Sequence, residues 1–177
     1  MDLGAAPGGW SQAVLQQCRT AHVYALDLLP MQILHPRITA LQGDFTDASV
    51  REHLAHLITQ TSSSHDGKVD VVLSDMMANT SGNPVRDSQA SLDLCTAAFE
   101  FCTSMLRPTP GPAKTEADRQ LLSAFVCKYF MSQEADEFRH EVLERHFSFV
   151  RSEKMKASRS ESREQYWVCF GYRGDTN

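Results

Sequence analysis

Near its start the chain carries Asp2-Leu3-Gly4-Ala5-Ala6-Pro7-Gly8-Gly9-Trp10-Ser11-Gln12, and the fold class follows from this segment. It predicts the end of an apolar strand, a glycine-rich turn, and an amphipathic helix that begins directly behind the turn. Glycines let the backbone approach a ligand without a Cβ clash, and the first turn of a helix offers free N–H groups. This arrangement is typical of a nucleotide-type cofactor site at the edge of a parallel sheet. The dinucleotide pattern G-x-G-x-x-G is absent, and Pro7 stiffens the turn.

Composition narrows the class of protein. The chain has 177 residues, of which 42% are hydrophobic and 22% charged, as in an ordinary globular domain. No apolar run approaches the ~20 residues of a membrane span, so no membrane association is expected. The five cysteines show no C-x-x-C spacing, which predicts buried free thiols in a reducing compartment and no metal site. The net charge of −5 gives no general attraction to nucleic acid.

Short apolar runs alternate with helical patterns along the rest of the chain. The runs predict strands at Val23–Leu26, Ile38–Leu41, Val69–Leu73, Ala124–Cys127, Phe147–Val150 and Tyr166–Tyr172. Helical spacing predicts helices at Ser49–Thr59, Asp87–Leu106 and Glu134–His146, the last capped by Ser132. This alternation predicts an α/β sandwich with a mostly parallel sheet, as a single domain over residues 1–177. The proline-rich, then polar segment 107–121 is expected to be a disordered loop insertion.

Charged residues follow several of the predicted strands. Asp27, Asp44, Asp75 and Lys128 all stand at carboxyl ends, where ligands of open α/β sheets bind. Asp27 could accept both ribose hydroxyls of an adenosine, and Asp44 could bond the adenine amino group with the ring beside Phe45. Taken singly, a strand-end aspartate more often caps a helix or turn. Their order behind the glycine-rich turn favours the functional interpretation.

Lys128 gives the sharpest indication of chemistry, because an ammonium group follows the buried run Phe125–Cys127. A strand-end lysine more often extends its charged end into water. Beside Asp75 and a second carboxylate, it could instead be positioned as a general base. Glu164, which precedes the last apolar run, is the candidate for that second carboxylate.

Six motifs in order cover nearly the whole chain outside the proline-rich segment. They are D-L-G-A-A-P-G-G-W-S-Q (Asp2–Gln12), A-L-D-L-L-P-M (Ala25–Met31), L-Q-G-D-F (Leu41–Phe45), L-S-D-M-x-x-N-x-S-G (Leu73–Gly82), F-V-C-K-x-F (Phe125–Phe130) and S-R-x-x-S-R-E-x-Y (Ser158–Tyr166). This set resembles the FtsJ/RrmJ ribosomal RNA 2′-O-ribose methyltransferases. The resemblance implies a Rossmann-like, S-adenosylmethionine-dependent fold with a seven-stranded type of sheet.

The resemblance also assigns roles to residues of this chain. It implies a Lys-Asp-Lys-Glu catalytic set in which Asp75, Lys128 and Glu164 are the last three members, with no metal. Lys128 would take the proton from a ribose 2′-hydroxyl. The implied S-adenosylmethionine-binding residues are Gly4, Pro7, Gly8, Gly9, Trp10, Asp27, Asp44, Phe45 and Asp75.

A basic cluster near the C-terminus completes the predicted site. Glutamates interleave with it, so alone it would indicate a solvated face. Beside the implied active site, it predicts phosphate contacts with RNA that weaken with salt. The predicted RNA-binding residues are Arg151, Lys154, Lys156, Arg159 and Arg163. The expected substrate is a uridine of large-subunit ribosomal RNA, and the expected protein is a monomer of the mitochondrial matrix, or of the cytoplasm if bacterial.

One part of the family pattern has no counterpart here. The first catalytic lysine lies upstream of the glycine-rich turn in the family, and only Met1 precedes the motif in this chain. The first strand is therefore expected to be truncated, with weak stability and low turnover for these 177 residues. Two alternatives stay open: an inactive RNA-binding or ribosome-assembly factor that keeps the fold, and a 2′-O-methyltransferase acting on tRNA or an RNA cap.

Overall fold

A computed structural model describes residues 1–61, 66–109, 122–155 and 163–174. Its strands form one seven-stranded sheet in the order β3-β2-β1-β4-β5-β7-β6. The strands are β1 Asp2–Leu3, β2 Val23–Asp27, β3 Ile38–Gln42, β4 Val71–Ser74, β5 Ala124–Phe130, β6 Phe147–Glu153 and β7 Glu164–Tyr172. β1 to β5 run parallel, and β7 is antiparallel to both of its neighbours. The α/β class and the mostly parallel sheet are therefore confirmed.

The helices follow the strands that they connect. They are α1 Gly9–Gln17, α2 Ala48–Thr61, α3 Pro84–Met105 and α4 Gln133–Phe138, and α4 continues through a π-helical stretch, Arg139–Leu143, to His146. The Ser132 hydroxyl accepts a hydrogen bond from the Ala135 N–H at 3.1 Å, which confirms the predicted cap. Helix α3 begins earlier than predicted because Asn83 caps Val85 and Arg86, and Pro84 fits the first helical turn.

Strand β1, which consists of Asp2 and Leu3, lies in the interior of the sheet between β2 and β4. Leu3 pairs with Leu26 of β2 on one side and with Ser74 of β4 on the other. The chain leaves β1 into α1 and returns through β2 and β3 on one side, whereas β4 and β5 lie on the other. In such sheets the strand order reverses beside the first strand, and a crevice opens there. The turn after β1 and the ends of β2 and β4 meet at this crevice.

The core lies on the face of the sheet covered by α2 and α3. Side chains from both layers are fully buried there, among them Leu3, Leu54, Val72, Cys102 and Phe125. Phe101 of α3 is also buried. Burial of such apolar area provides most of the favourable free energy of folding.

Several expectations are corrected by the structure. Cys18 is exposed, whereas Cys95, Cys102, Cys127 and Cys169 are buried as predicted. Cys18 follows the last turn of α1, outside the core, so the apolar context that favoured burial does not apply to it. Strand β5 runs to Phe130, past Lys128, because β7 pairs with it over its whole length. Residues 110–121 of the predicted insertion lie outside the described part of the chain. Among the described residues, no helix is long and apolar enough to cross a bilayer.

Candidate active site

The glycine-rich turn is held directly against the end of β4. Gly4 has a φ of +74°, and a Cβ placed on it would lie 2.7 Å from the Met76 backbone nitrogen. The Gly4 N–H also donates to the Leu26 carbonyl at 2.9 Å, which ties the turn to β2. Only glycine accepts both this dihedral angle and this close approach. The turn therefore lies in van der Waals contact with the backbone that follows Asp75.

The other end of the turn leaves space for a ligand. Among the described residues, no atom lies within 4 Å of a Cβ placed on Gly9, and no side chain caps helix α1, whose N-cap residue is Gly8. The first N–H groups of α1 therefore stand beside an open surface, where they can bind a polar ligand group. The Trp10 ring stacks on the Tyr166 ring with centroids 5.6 Å apart, so the first turn of α1 contacts β7. Pro7 is exposed at the tip of this turn.

Asp27 connects the turn with the end of β2. Its Oδ2 accepts a hydrogen bond from the Ala6 N–H, and its Oδ1 accepts one from the Leu29 N–H, each at 2.8 Å. A carboxylate has about four acceptor positions, so the same side chain can also accept ribose hydroxyls. The structure thus gives Asp27 the turn-capping role and leaves acceptor capacity for the predicted ribose contact.

The Asp44–Phe45 pair lies at the end of β3. The Asp44 Oδ1 accepts from both the N–H and the hydroxyl of Thr46, and these bonds lower the pKa of Asp44. The Phe45 side chain is buried in the core and packs edge-on against Phe101 at 5.6 Å between centroids. The Phe45 ring therefore contributes to the core, and the exposed Asp44 is the member of the pair available to a ligand.

Asp2 was not singled out from the sequence, although it begins the first motif. It is only 1% exposed. Its Oδ2 accepts from the buried Ser11 hydroxyl at 2.6 Å, while its Oδ1 has no hydrogen-bond partner among the described residues. Burial raises the pKa of this carboxyl group. A buried acceptor at the base of the turn is the kind of atom that a bound donor, such as an ammonium group, would satisfy.

Lys128 and Asp75 form the centre of the site. The Lys128 Nζ donates to the Asp75 backbone carbonyl at 2.7 Å and lies 3.0 Å from Asp75 Oδ1. The Lys128 side chain is 12% exposed, and that of Asp75 is 30% exposed. The lysine side chain is therefore held at a fixed position between adjacent strands and does not extend into water. This pairing is the arrangement that the sequence predicted for a positioned base.

Tyr166 also belongs to this centre, although the sequence did not predict its contact with Asp75. Its hydroxyl donates to Asp75 Oδ1 at 2.7 Å. Burial raises the pKa of Tyr166, and the hydrogen bond and charge of Asp75 raise it further. The phenol therefore stays protonated and remains a donor to the carboxylate. Register pairs Lys128 with Tyr166 across β5 and β7, but no sequence pattern shows which antiparallel partner a strand will have.

Glu164 lies at the start of β7, opposite Phe130. It is two residues from Tyr166 on the same face of the strand, and its charge contributes to the raised pKa of Tyr166. A diagonal neighbour on a paired strand lies about 7–8 Å away, so Glu164 stands close to Lys128. The structure therefore brings the three predicted catalytic side chains to one face at the carboxyl edge of β4 and β5.

The predicted RNA-binding residues are only partly described. Arg151 forms an ion pair with Glu153 at 3.1 Å, and Lys154 is exposed just after β6. Arg163 lies beside β7 and is bonded to the Ser88 hydroxyl at 3.1 Å. Lys156 and Arg159 lie outside the described residues. Within the described residues, no group of three His, Cys, Asp or Glu side chains is placed to hold a metal.

Comparison with known proteins identifies the family. The model of the FtsJ-like methyltransferases matches residues 1–172. This chain belongs to the FtsJ-like methyltransferase family. It is 37% identical over 172 residues to the ribosomal RNA large subunit methyltransferase E of Acinetobacter baumannii, covering 97% of this chain and 70% of that protein. The family predicted from the six sequence motifs is therefore confirmed.

Solved structures share the fold. A protein of Plasmodium falciparum described as a ribosomal RNA methyltransferase matches with a TM-score of 0.78 and 20% identity, over 98% of this chain and 86% of that one. Human methyltransferase-like protein 13, solved in complex with S-adenosylhomocysteine, matches with a TM-score of 0.58 and 12% identity, over 97% of this chain and 70% of that one. The Rossmann-like methyltransferase fold is thereby confirmed.

Proposed function

We propose that this FtsJ-like chain transfers a methyl group from S-adenosylmethionine to a ribose 2′-hydroxyl of ribosomal RNA, at a uridine of the large subunit. The observation that carries the proposal is the position of the Lys128 Nζ, which contacts both the backbone carbonyl and the side chain of Asp75 directly beside the glycine-rich turn. A positioned lysine next to a cofactor turn suits proton removal from a hydroxyl group. The name of the Acinetobacter relative supports ribosomal RNA as the substrate class.

The residues at the crevice fit the cofactor. The open side of Gly9 and the uncapped start of α1 can accept the methionine part, and the Asp2 Oδ1 is a buried acceptor without a partner among the described residues. Asp27 and Asp44 would hold the ribose and the adenine. When bound, S-adenosylmethionine supplies a methyl group on a positively charged sulfur.

The chain's own residues then have separate roles. The Lys128 Nζ accepts the proton of the ribose 2′-hydroxyl, and Asp75 holds the resulting ammonium group. Tyr166 holds the Asp75 carboxylate through its hydroxyl, and Glu164 adds negative charge near the ammonium. Correct alignment of the attacking oxygen contributes a large part of the rate acceleration in such bimolecular transfers.

The test compares wild type with Lys128→Ala in methyl transfer to large-subunit ribosomal RNA, tRNA and capped RNA, measured by mass spectrometry of nucleosides. We expect 2′-O-methyluridine in ribosomal RNA from wild type only, with unchanged S-adenosylmethionine binding in the variant. Lys68→Ala is the control, because its ammonium bonds the Ser104 carbonyl, away from the site. Methylation by Lys128→Ala at the wild-type rate would contradict the proposed base.

The same experiment separates the two alternatives. An inactive assembly factor would bind RNA and give no methyl transfer in wild type, and a tRNA or cap enzyme would methylate those RNAs instead. The mitochondrial matrix, with bacterial cytoplasm as the alternative, and the monomeric state stay predictions from the sequence. Cell fractionation and sedimentation would test them.

A further inference from the structure

A second cavity lies beside the catalytic centre, at the start of α3. It has a volume of about 150 Å³ and is lined by the first two turns of α3, by Ser132 and Glu134 at the start of α4, and by Arg163. None of the residues that line it belongs to the predicted cofactor site or to the catalytic set. It is therefore available to another part of the substrate.

Arg163 forms a fixed wall of this cavity. Its guanidinium donates to the Ser88 hydroxyl at 3.1 Å, to the Pro84 carbonyl at 3.4 Å and to the Met131 carbonyl. These bonds join α3 to the end of β5 and hold the guanidinium plane in place. A guanidinium plane held in this way is a surface on which an unstacked RNA base can stack.

The cavity stands within reach of the ribose that Lys128 would deprotonate. Arg163 directly precedes Glu164, and Lys128 pairs with Tyr166 across the two strands. Arg163 and Tyr166 are three residues apart, which corresponds to about 10 Å in an extended strand. Side chains of an extended strand alternate between its two faces, so Arg163 contacts α3 on one side of the sheet, whereas Tyr166 stacks on Trp10 of α1 on the other. A nucleotide adjoining the target would therefore have to cross the carboxyl edge of the sheet to place its base at this cavity.

The size and polarity of the cavity indicate which group it takes. A cavity of about 150 Å³ holds a planar six-membered ring such as benzene, and the apolar side chains of Pro84, Val85 and Leu92 can cover the ring faces. The Gln89 amide nitrogen is bonded to Asp93 at 2.8 Å, which leaves its carbonyl oxygen as an acceptor. The Glu134 carboxylate also lines the cavity. The Gln89 oxygen and the Glu134 carboxylate can accept hydrogen bonds from the N–H groups of a base. The negative charge of Glu134 would repel a phosphate group.

We propose that this cavity binds an unpaired pyrimidine base next to the methylated ribose. The proposal rests on the proposed function, because it takes RNA as the substrate. Sequence-specific recognition of RNA generally uses unpaired bases in this way. Arg163 then serves as a stacking wall for a base, rather than as a phosphate contact like the other members of the basic cluster.

The test measures binding and needs no methyl transfer. Fluorescence anisotropy compares oligouridine with oligoadenine of equal length, for wild type, Gln89→Ala and Gln133→Ala. The two glutamines are matched, since each is exposed and donates to a carboxylate four residues further on at 2.8 Å and 2.9 Å. Gln133 does not line the cavity.

We expect wild type and Gln133→Ala to prefer oligouridine by about 10-fold, the size of one well-bound base. In Gln89→Ala the preference should fall to roughly 2-fold. A purine preference, equal affinities in wild type, or the same preference in both variants would overturn the proposal. Loss of methyl transfer with the base preference intact would count against the proposed function only, so the two failures are distinguishable.

Discussion

The contact between Gly4 and the end of β4 makes a quantitative prediction for Gly4→Ala. A Cβ at this position would lie 2.7 Å from the Met76 nitrogen and 3.0 Å from the Asp75 carbonyl carbon, both of which are backbone atoms. The φ of +74° adds about 1–2 kcal/mol for a residue with a side chain. Relief of the overlap by backbone shifts adds about 1–3 kcal/mol. We therefore expect a loss of roughly 2–5 kcal/mol in the free energy of unfolding.

Gly9→Ala is the matched control in the same turn. A Cβ there would meet no atom within 4 Å in the described part of the chain, and Gly9 is the first residue of α1. Alanine at a compatible position stabilises by up to about 1 kcal/mol, because it restricts the unfolded chain. The same methyl group would occupy the open side where the cofactor is proposed to bind. Gly9→Ala should thus keep or raise stability and weaken S-adenosylmethionine binding.

Thermal unfolding followed by calorimetry, with titration of S-adenosylmethionine, tests both variants. For a chain of this size about 1 kcal/mol changes the Tm by roughly 2–4 °C. Gly4→Ala should therefore lower the Tm by about 4–20 °C, and Gly9→Ala should change it by 0 to about +4 °C. A Tm for Gly4→Ala within 2 °C of wild type, about the shift that 1 kcal/mol produces, would refute the argument from the close approach. Equal decreases in the Tm of both variants would show that any side chain destabilises the turn, independently of the atoms that it contacts.

Two carboxylates beside the turn, Asp27 of β2 and Asp2 of β1, give further predictions. Asp27→Asn removes one of two acceptors of backbone N–H groups, and charge-assisted bonds of this kind are worth about 1.5–3 kcal/mol. We expect Asp27→Asn to weaken S-adenosylmethionine binding at least about 10-fold, as measured by calorimetry. Asp47→Asn is the control, because it alters a cap at the start of α2 and should bind S-adenosylmethionine as wild type does. Asp2 has a pKa raised by burial above its ordinary value of 3.8, so the folded chain binds a proton more readily than the unfolded chain. Its contribution to stability is complete below pH 3.8 and is lost as the pH rises through the raised pKa. In urea unfolding, the free energy of unfolding of Asp2→Asn minus that of wild type should therefore increase from pH 4 to pH 7. A difference that does not depend on pH would contradict the burial of a charge at Asp2.

The sequence predicted those parts of the site that depend on local structure. The glycine-rich turn, Asp27 and Asp44 lie in short motifs whose geometry is set by a strand end and the turn that follows. The position of Lys128 beside Asp75 was also predictable, because parallel strands bring their carboxyl ends to one edge of a sheet. The Ser132 cap followed from the preference of helix starts for hydroxyl side chains.

The remaining features depend on contacts between distant residues. Tyr166 bonds Asp75 across 91 positions of the chain, and Arg163 reaches Ser88 across 75 positions. No local pattern records these pairings. The Phe45 ring is buried because Phe101 of α3 packs against it, a contact that also lies outside any motif. The extension of β5 to Phe130 arises from pairing with β7, and tertiary pairing of this kind overrides local propensity.

Most residues of the site follow the carboxyl ends of parallel strands, whereas Glu164 and Tyr166 lie at the amino end of β7. The direction of β7 explains this difference. β7 is antiparallel to β5, so its first residues lie at the edge where β4 and β5 finish. A parallel strand in this position would bring its last residues, around Tyr172, to that edge and place Glu164 at the opposite one. The reversed strand, with the residue before it, therefore brings three groups to this edge of the sheet. Tyr166 supports Asp75, Glu164 adds charge beside Lys128, and Arg163 forms the wall of the second cavity. The catalytic centre and the proposed base site thus both include residues at or directly before the start of β7, so a displacement of this end of the strand would affect both together.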